Sequence, residues 1–135
     1  MKYQQKDFTD DLKIKIKSTE SALKGHIGKL LKENKSVFAK KNLAFNANFD
    51  QVGDDPFQPG YSSSVAIGVS DKADINGELI DLHIIKIWEC ERTFLGMPTA
   101  KNIPGSKITG ELLDETVQEV REELKEYIEE ILNDV

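Results

Sequence analysis

The sequence contains a single cysteine, Cys90, among its 135 residues. One cysteine cannot form an internal disulfide, and it excludes the zinc sites built from several cysteines. On a strand face shared with Trp88, Cys90 is expected to be a small buried hydrophobic residue rather than a nucleophile. The fold therefore depends on its apolar core, and a chain of this length buries roughly two thirds of its unfolded surface.

A long apolar run is also missing. No stretch of the sequence is long enough to cross a bilayer, and residues 1–7 have no apolar h-region of a secretory signal. These absences predict a soluble, cytoplasmic protein that does not bind membranes.

Recognised catalytic motifs are absent as well. The sequence has no HExxH, GxSxG, glycine-rich phosphate loop or dinucleotide fingerprint, and neither histidine lies near a nucleophilic Ser or Cys.

Four polar residues share one face of a predicted strand, namely Asp81, His83, Glu89 and Glu91. Because Asp81 and Glu89 would stand on the order of 26 Å apart, this row does not form a single metal site. We therefore predict no catalytic residue, no metal and no cofactor, while enzymatic activity stays open.

Charge is distributed unevenly along the chain, whose formal net charge is -6. Residues 1–45 contain 11 lysines and 5 acidic residues, whereas residues 111–135 contain 2 basic and 10 acidic residues. Two terminal helices of opposite sign can attract each other weakly, or one of them can dock a partner of opposite charge.

The segment 63–90 is typical of a β-hairpin. Asn76-Gly77 accepts the positive φ angles of a type I′ turn, and this turn pairs Val69 with Ile84. Because side chains alternate across a strand, the register predicts one apolar core face. That face comprises Val65, Ile67, Val69, Ala73, Ile80, Leu82, Ile84 and Trp88. The other face is expected to be mixed and half exposed, and a slip of one residue would exchange the two.

Helical periodicity occurs on both sides of the hairpin. It predicts a long helix over residues 7–34, although residues 12–17 also alternate as a strand would. Alternation over residues 43–49 predicts the first strand of the sheet. Apolar residues at heptad spacing over 113–131 predict a last helix, which is expected to begin near residues 106–109.

The order of elements is thus helix, three strands, helix. It predicts a single α+β domain over residues 1–135, in which a three-stranded antiparallel meander is flanked by long N- and C-terminal helices. This order resembles that of the double-stranded-RNA-binding domain, which presents lysines where its second helix starts. Here Lys107 stands alone at that place and is followed by Glu111, Asp114 and Glu115. The charge therefore argues against a nucleic-acid partner.

The acidic last helix and the acidic loop before the hairpin are the candidate partner-binding regions. We predict a small, acidic, non-catalytic protein that recognises a basic surface of another macromolecule, which we expect to be a protein. An immunity-type or antitoxin-type inhibitor of a cationic nuclease is one form, by analogy of size and charge. The candidate residues are Asp54, Asp55, Phe57, Glu119, Glu122, Glu123 and Glu126.

Two alternatives stay open. A small-ligand-binding protein or an enzyme would use a pocket between the sheet and the long loops, lined by His83, Trp88, Glu89, Glu91 and Arg92. An oligomeric structural subunit would instead associate with itself through the apolar seam of the C-terminal helix.

Overall fold

A computed structural model describes residues 1–72 and 79–134. The predicted Asn76-Gly77 turn and Ala73 lie outside the described residues. In chain order, the elements are β1 (Lys2–Gln4), a 3-10 helix (Gln5–Asp7), α1 (Asp10–Ala39), β2 (Leu43–Val52), β3 (Ser62–Asp71), β4 (Leu79–Phe94), β5 (Met97–Pro98), β6 (Lys107–Leu112) and α2 (Val117–Asp134).

The described strands form one sheet in the order β1-β6-β4-β3-β2, and β5 pairs with β4. β4 runs antiparallel to β5 and β6, and β1 runs antiparallel to β6. The predicted α+β class is therefore confirmed. The three predicted strands correspond to β2, β3 and β4, which are neighbours in a larger sheet that β1, β5 and β6 extend.

Helix α1 confirms the helical interpretation of the N-terminal segment and excludes a strand over residues 12–17. Leu12 and Ile16 are buried one helical turn apart, whereas Ile14 between them is 65% exposed. The backbone N–H of Leu12 donates to Oγ1 of Thr9 at 3.3 Å, as in a helix N-cap. The helix ends at Ala39 rather than near residue 34.

Helix α2 begins later than the sequence predicted. Residues 107–112 form strand β6, so the predicted helix start at residues 106–109 is wrong. The helix is capped by Thr116 instead. The N–H of Glu119 donates to Oγ1 of Thr116 at 3.1 Å, and the N–H of Thr116 donates to the Glu119 carboxylate at 3.2 Å. This reciprocal pair is a capping box.

The chain divides into two compact units. Unit 1 comprises residues 1–21, 50–64 and 86–114, and unit 2 comprises residues 22–49, 65–85 and 115–135. Helix α1 and strands β2, β3 and β4 contribute residues to both units.

The core of unit 1 is organised around Trp88, which is fully buried. Its indole N–H donates to the backbone carbonyl of Pro56 at 2.7 Å. The rings of Tyr3, Phe8 and Phe57 surround it, with centroids 5.8 to 6.4 Å from that of Trp88. Aromatic pairs at this separation add to the gain from burying the rings.

Gly110 on β6 leaves the space that the indole occupies. A Cβ atom at Gly110 would lie 2.0 Å from Cη2 of Trp88, far inside van der Waals contact. Because the indole is enclosed on its other sides, it cannot move away from such an atom without disturbing the cluster. The strand therefore requires glycine at this position.

Besides the aromatic cluster, unit 1 contains a buried carboxylate. Glu20 is only 4% exposed, and the Tyr61 hydroxyl donates to it at 2.6 Å. The Lys17 ammonium lies 3.4 Å from the same carboxylate and 3.1 Å from the Tyr61 hydroxyl oxygen. Burial and the hydrogen bond to Glu20 both raise the pKa of Tyr61 above its usual value. The phenol therefore stays protonated and keeps donating at neutral pH.

In unit 2, helix α2 packs its apolar stripe into the core. Val120, Leu124 and Ile128 are buried. Val65, Ile67 and Val69 of β3 are also buried, as the sequence predicted. The core of unit 2 therefore buries part of the apolar seam that was predicted for self-association of α2.

Strand β4 corrects the predicted core face. Ile80, Leu82 and Ile84 were expected in the core, but they are 56%, 48% and 56% exposed. His83 lies against α2 instead, and Ile85 is 7% exposed. The faces of this part of β4 are exchanged, as a slip of one residue requires.

Further along β4, both faces are covered. Ile87 and Trp88 are adjacent in sequence and both are fully buried. The prediction that Trp88 belongs to the core is therefore confirmed, although the strand segment before it was assigned the wrong face. Cys90 is also buried as expected, and burial raises the pKa of its thiol to about 11.

We expect Gly110→Ala to lower the free energy of unfolding by about 1–3 kcal/mol, because the added methyl group overpacks the site against Trp88. Gly28→Ala is the matched control, since no neighbouring side chain lies within 4 Å of the place that its added methyl carbon would take. In the middle of α1 it should raise stability by up to about 1 kcal/mol. Urea unfolding followed by circular dichroism measures both. Equal stability of the Gly110→Ala variant and the wild type would refute the packing argument.

We expect Tyr61→Phe to lower the free energy of unfolding by about 1–3 kcal/mol, because it removes a hydrogen bond from the buried Glu20 carboxylate. Tyr3→Phe is the control. The Tyr3 hydroxyl contacts only the exposed sulfur of Met1 among the described contacts, so its loss should change stability by less than about 0.5 kcal/mol. If the two substitutions cost the same in urea unfolding, the Glu20 centre does not contribute as described.

Candidate functional site

The exposed face of α2 is strongly acidic. Residues 115–134 contain eight acidic side chains and two basic ones, Arg121 and Lys125. Glu115 and Glu123 are half-buried. The other six acidic side chains are exposed, and they are Glu119, Glu122, Glu126, Glu129, Glu130 and Asp134.

A cleft of about 460 Å³ lies in unit 2 beside α2. The His83 ring stacks on the Tyr127 ring with centroids 4.8 Å apart and planes at 26°. Nε2 of His83 is 3.4 Å from a carboxylate oxygen of Glu123. The cleft therefore combines an aromatic pair with carboxylates, and its lining residues are His83, Glu123, Glu126, Tyr127, Glu129, Glu130 and Asn133.

The pKa values near the cleft follow from burial and negative charge. Burial raises the pKa of Glu115, and the carboxylates of Glu123 and Glu119 raise it further. Burial also raises the pKa of Tyr127, and the nearby Asp81 carboxylate adds to that effect. Both groups thus resist gaining negative charge in this environment. The same environment favours a cation, which can pair with the carboxylates and lie against an aromatic face.

The described residues provide no evident metal centre. No group of three or more His, Cys, Asp or Glu side chains among them is placed to hold a metal ion. Likewise, neither described helix is long and apolar enough to cross a membrane.

The predicted loop residues Asp54, Asp55 and Phe57 belong to unit 1. The Asp55 carboxylate accepts the backbone N–H of Phe57 at 3.0 Å. The Phe57 ring stacks on Phe8 with centroids 4.6 Å apart. Asp55 and Phe57 therefore have structural contacts of their own, while Asp54 is exposed. The four predicted glutamates Glu119, Glu122, Glu123 and Glu126 lie on α2 in unit 2.

The residues of the alternative ligand pocket are divided between the units. His83 belongs to unit 2, and Trp88, Glu89, Glu91 and Arg92 belong to unit 1. Trp88 has no exposed surface for a ligand to contact. The Arg92 guanidinium donates to the side chains of Asn102 and Ser106, each at 3.1 Å.

Glu89 and Glu91 do line a cavity of about 350 Å³ in unit 1, and together with Arg92 they line another of about 450 Å³ beside the loops. Glu89 lies directly opposite Glu111 in the pairing of β4 with β6. Lys86 donates to the Glu89 carboxylate at 2.9 Å, which relieves part of the repulsion between these like charges.

Among the residues that line the cleft, sequence reasoning missed Tyr127, Glu129, Glu130 and Asn133. Tyr127 and Glu130 follow Glu123 and Glu126 by four residues, a spacing that places each pair on one side of a helix. That signal was available in the sequence. Their proximity to His83 was not, because it depends on which face of β4 lies against α2.

Comparison with protein-family models, with curated proteins and with solved structures found no match to this chain. What the site can do is therefore inferred from its charge and shape.

Proposed function

We propose that this protein is a small, non-catalytic binding protein whose acidic helix α2 engages a basic surface of another protein. The observation that carries the proposal is the cleft in which the stacked His83 and Tyr127 rings are bordered by Glu123, Glu126 and Glu130.

The distribution of charge along α2 supports this function. Glu119 and Glu123, Glu122 and Glu126, and Glu126 and Glu130 are pairs of like charge four residues apart. Such pairs destabilise a helix, and acidic residues near its C-terminal end oppose the helix dipole. The last turn itself contains no basic residue, and among the described contacts the Lys41 ammonium donates to its Leu132 carbonyl at 3.5 Å. Helix stability alone does not account for this pattern, whereas attraction of a cationic partner does.

An arginine side chain fits the chemistry of the cleft. Its planar guanidinium can form paired hydrogen bonds with a carboxylate and can stack on an aromatic ring. The six exposed acidic side chains of α2 would attract the partner over a longer range, which increases the association rate at low ionic strength.

This chemistry indicates the class of partner, a protein with a basic surface, but it does not identify that protein. An immunity-type or antitoxin-type inhibitor of a cationic nuclease is one concrete form of the proposal, by analogy of size and charge. The unit 2 cleft is sufficient for the proposal, which does not require Asp54, Asp55 or Phe57.

The test uses a fluorescein-labelled, arginine-rich peptide and fluorescence anisotropy. We expect Glu123→Gln combined with Glu126→Gln to weaken binding of the peptide about tenfold, because two carboxylates of the cleft lose their charge. Raising NaCl from about 50 to about 300 mM should also weaken binding by the wild type, since exposed charges are screened.

The control combines Asp10→Asn with Asp11→Asn. These exposed residues belong to unit 1, and the change in net charge is the same. Binding by the control should stay within about twofold of the wild type. Equal losses of peptide binding in both variants would show that the effect depends only on net charge. If the glutamate variant binds the peptide as the wild type does, the cleft is not the binding site.

A further inference from the structure

The two edges of the sheet differ in length and in composition. Strands β1 and β2 stand at opposite ends of the strand order. β1 is three residues long and includes Lys2, and a short edge strand that carries a lysine discourages pairing with another chain. β2 is ten residues long and contains no lysine, arginine, proline or glycine. The β2 edge therefore lacks these usual protections.

The backbone of β2 determines what kind of partner this edge fits. Among the described strands, β2 pairs only with β3. A strand with one neighbour directs the N–H and C=O groups of every second residue away from that neighbour. Such groups can form a further ladder of hydrogen bonds with an extended chain. The edge therefore fits another strand rather than a helix or a small ligand.

The side chains of residues 43–49 are compatible with such pairing. These residues of β2 belong to unit 2, and none of them is charged. Asn46 and Asn48 on one face are exposed. The apolar residues of the other face are Leu43, Phe45, Ala47 and Phe49. The first three of these are buried and Phe49 is half-buried.

From the open edge and this alternation we infer that β2 pairs with β2 of a second copy of this chain, in an antiparallel two-fold contact. A two-fold axis perpendicular to the sheet makes equivalent faces of the two copies continuous. Residues of the same orientation then lie opposite each other. Full overlap of residues 43–49 places Asn46 opposite Asn46 of the other copy. It also places apolar Phe45 opposite apolar Ala47.

The charges at the two ends of this segment favour a second copy over an unrelated strand. Lys40 and Lys41 precede residues 43–49, and Asp50 follows them. Antiparallel pairing brings Asp50 of each copy beside the lysine-bearing end of the other, and opposite charges across a strand pair are favourable. The amide of Asn46 can both donate to and accept from its counterpart. The segment is therefore complementary to itself.

The length of the segment determines the strength of the contact. Overlap of residues 43–49 forms about seven new backbone hydrogen bonds. Each adds only modestly to association, because its donor and acceptor are hydrated in the monomer. Two copies with a formal net charge of -6 also repel each other. The dimer is therefore weak and reversible, with a dissociation constant on the order of 100 μM.

The dimer goes beyond the proposed function and does not depend on it. Strand β3 lies between β2 and β4, and β4 provides His83 to the cleft. Variants that block the β2 edge should therefore bind the arginine-rich peptide within about twofold of the wild type.

Sedimentation equilibrium of the full chain, from roughly 5 to 500 μM, tests the inference. We expect the average mass of the wild type to rise from one chain toward two across this range. Asn46→Lys and Asn46→Asp should each weaken association at least about tenfold, because like charges then meet across the contact. An equimolar mixture of the two variants should associate at least as strongly as the wild type, since opposite charges then meet.

Ser18→Lys and Ser18→Asp are the matched controls, because they introduce the same charges at an exposed position of α1 in unit 1. Among the described contacts, the Ser18 hydroxyl donates only to the Lys15 carbonyl, at 3.1 Å. Each control should associate within about twofold of the wild type, and mixing the two should not strengthen association.

Three results of this experiment would overturn the inference. The first is a wild type that stays monomeric up to the highest concentration. The second is a mixture of the Asn46 variants that associates no better than either variant alone. The third is assembly beyond two chains, since a two-fold edge contact closes on itself.

Hydrogen exchange of the wild type provides a measurement that needs no variant. About half of the amides in residues 43–49 point away from β3. They should exchange about threefold more slowly at the highest protein concentration than at the lowest, because most chains are then paired. Protection that rises with concentration at α2 or β1 instead would place the contact elsewhere and overturn the inference.

Discussion

Alternation along β4 is the constraint on which both surfaces of unit 2 depend. A strand must send successive side chains to opposite faces, so the position of His83 against α2 determines where Leu82 and Ile84 point. One face then brings His83 to Tyr127 and the glutamates of α2. The other face exposes Ile80, Leu82 and Ile84 to solvent. A slip of one residue would remove the cleft and turn these three side chains toward α2.

Much of the fold could be predicted because its signals are local. The spacing of apolar residues identified α1, and the alternation over residues 43–49 identified β2, since both patterns depend only on neighbours in sequence. The start of α2 was also encoded locally, because Thr116 and Glu119 have the spacing of a capping box. It was missed because Ser106 and Thr109 offered earlier residues of a suitable type. Strand β6 is short, and its defining feature is the fit of Gly110 against Trp88, which no local pattern contains.

The faces of β4 could not be assigned from periodicity, because both carry branched apolar residues. Ile80, Leu82 and Ile84 compete with Ile85 and Ile87 for the core, and hydrophobicity alone does not separate the two sets. Lys86 was the available signal. It has the same orientation as Ile84 and is exposed while paired with Glu89. A lysine in line with an apolar row indicates the solvent side of a strand, because its charge is costly to bury.

The candidate surfaces occur where the sequence departs from what stability alone favours. Like charges four residues apart weaken α2, and exposed isoleucines leave apolar area in water. By contrast, unit 1 encloses Trp88 completely and gives the buried Glu20 two polar partners. Departures of this kind are expected at functional surfaces, where stability is exchanged for interaction.

The most direct test of this account is the solvent accessibility of β4, measured by the rate at which introduced cysteines react with a maleimide. Native Cys90 is 1% exposed and burial raises the pKa of its thiol to about 11, so it contributes little background. At low protein concentration, Leu82→Cys should react nearly as fast as the urea-unfolded chain. Ile85→Cys should react at least about 100-fold more slowly, because its reaction requires local opening of the core. The reverse order of rates would show that β4 has the opposite orientation, and it would contradict the cleft.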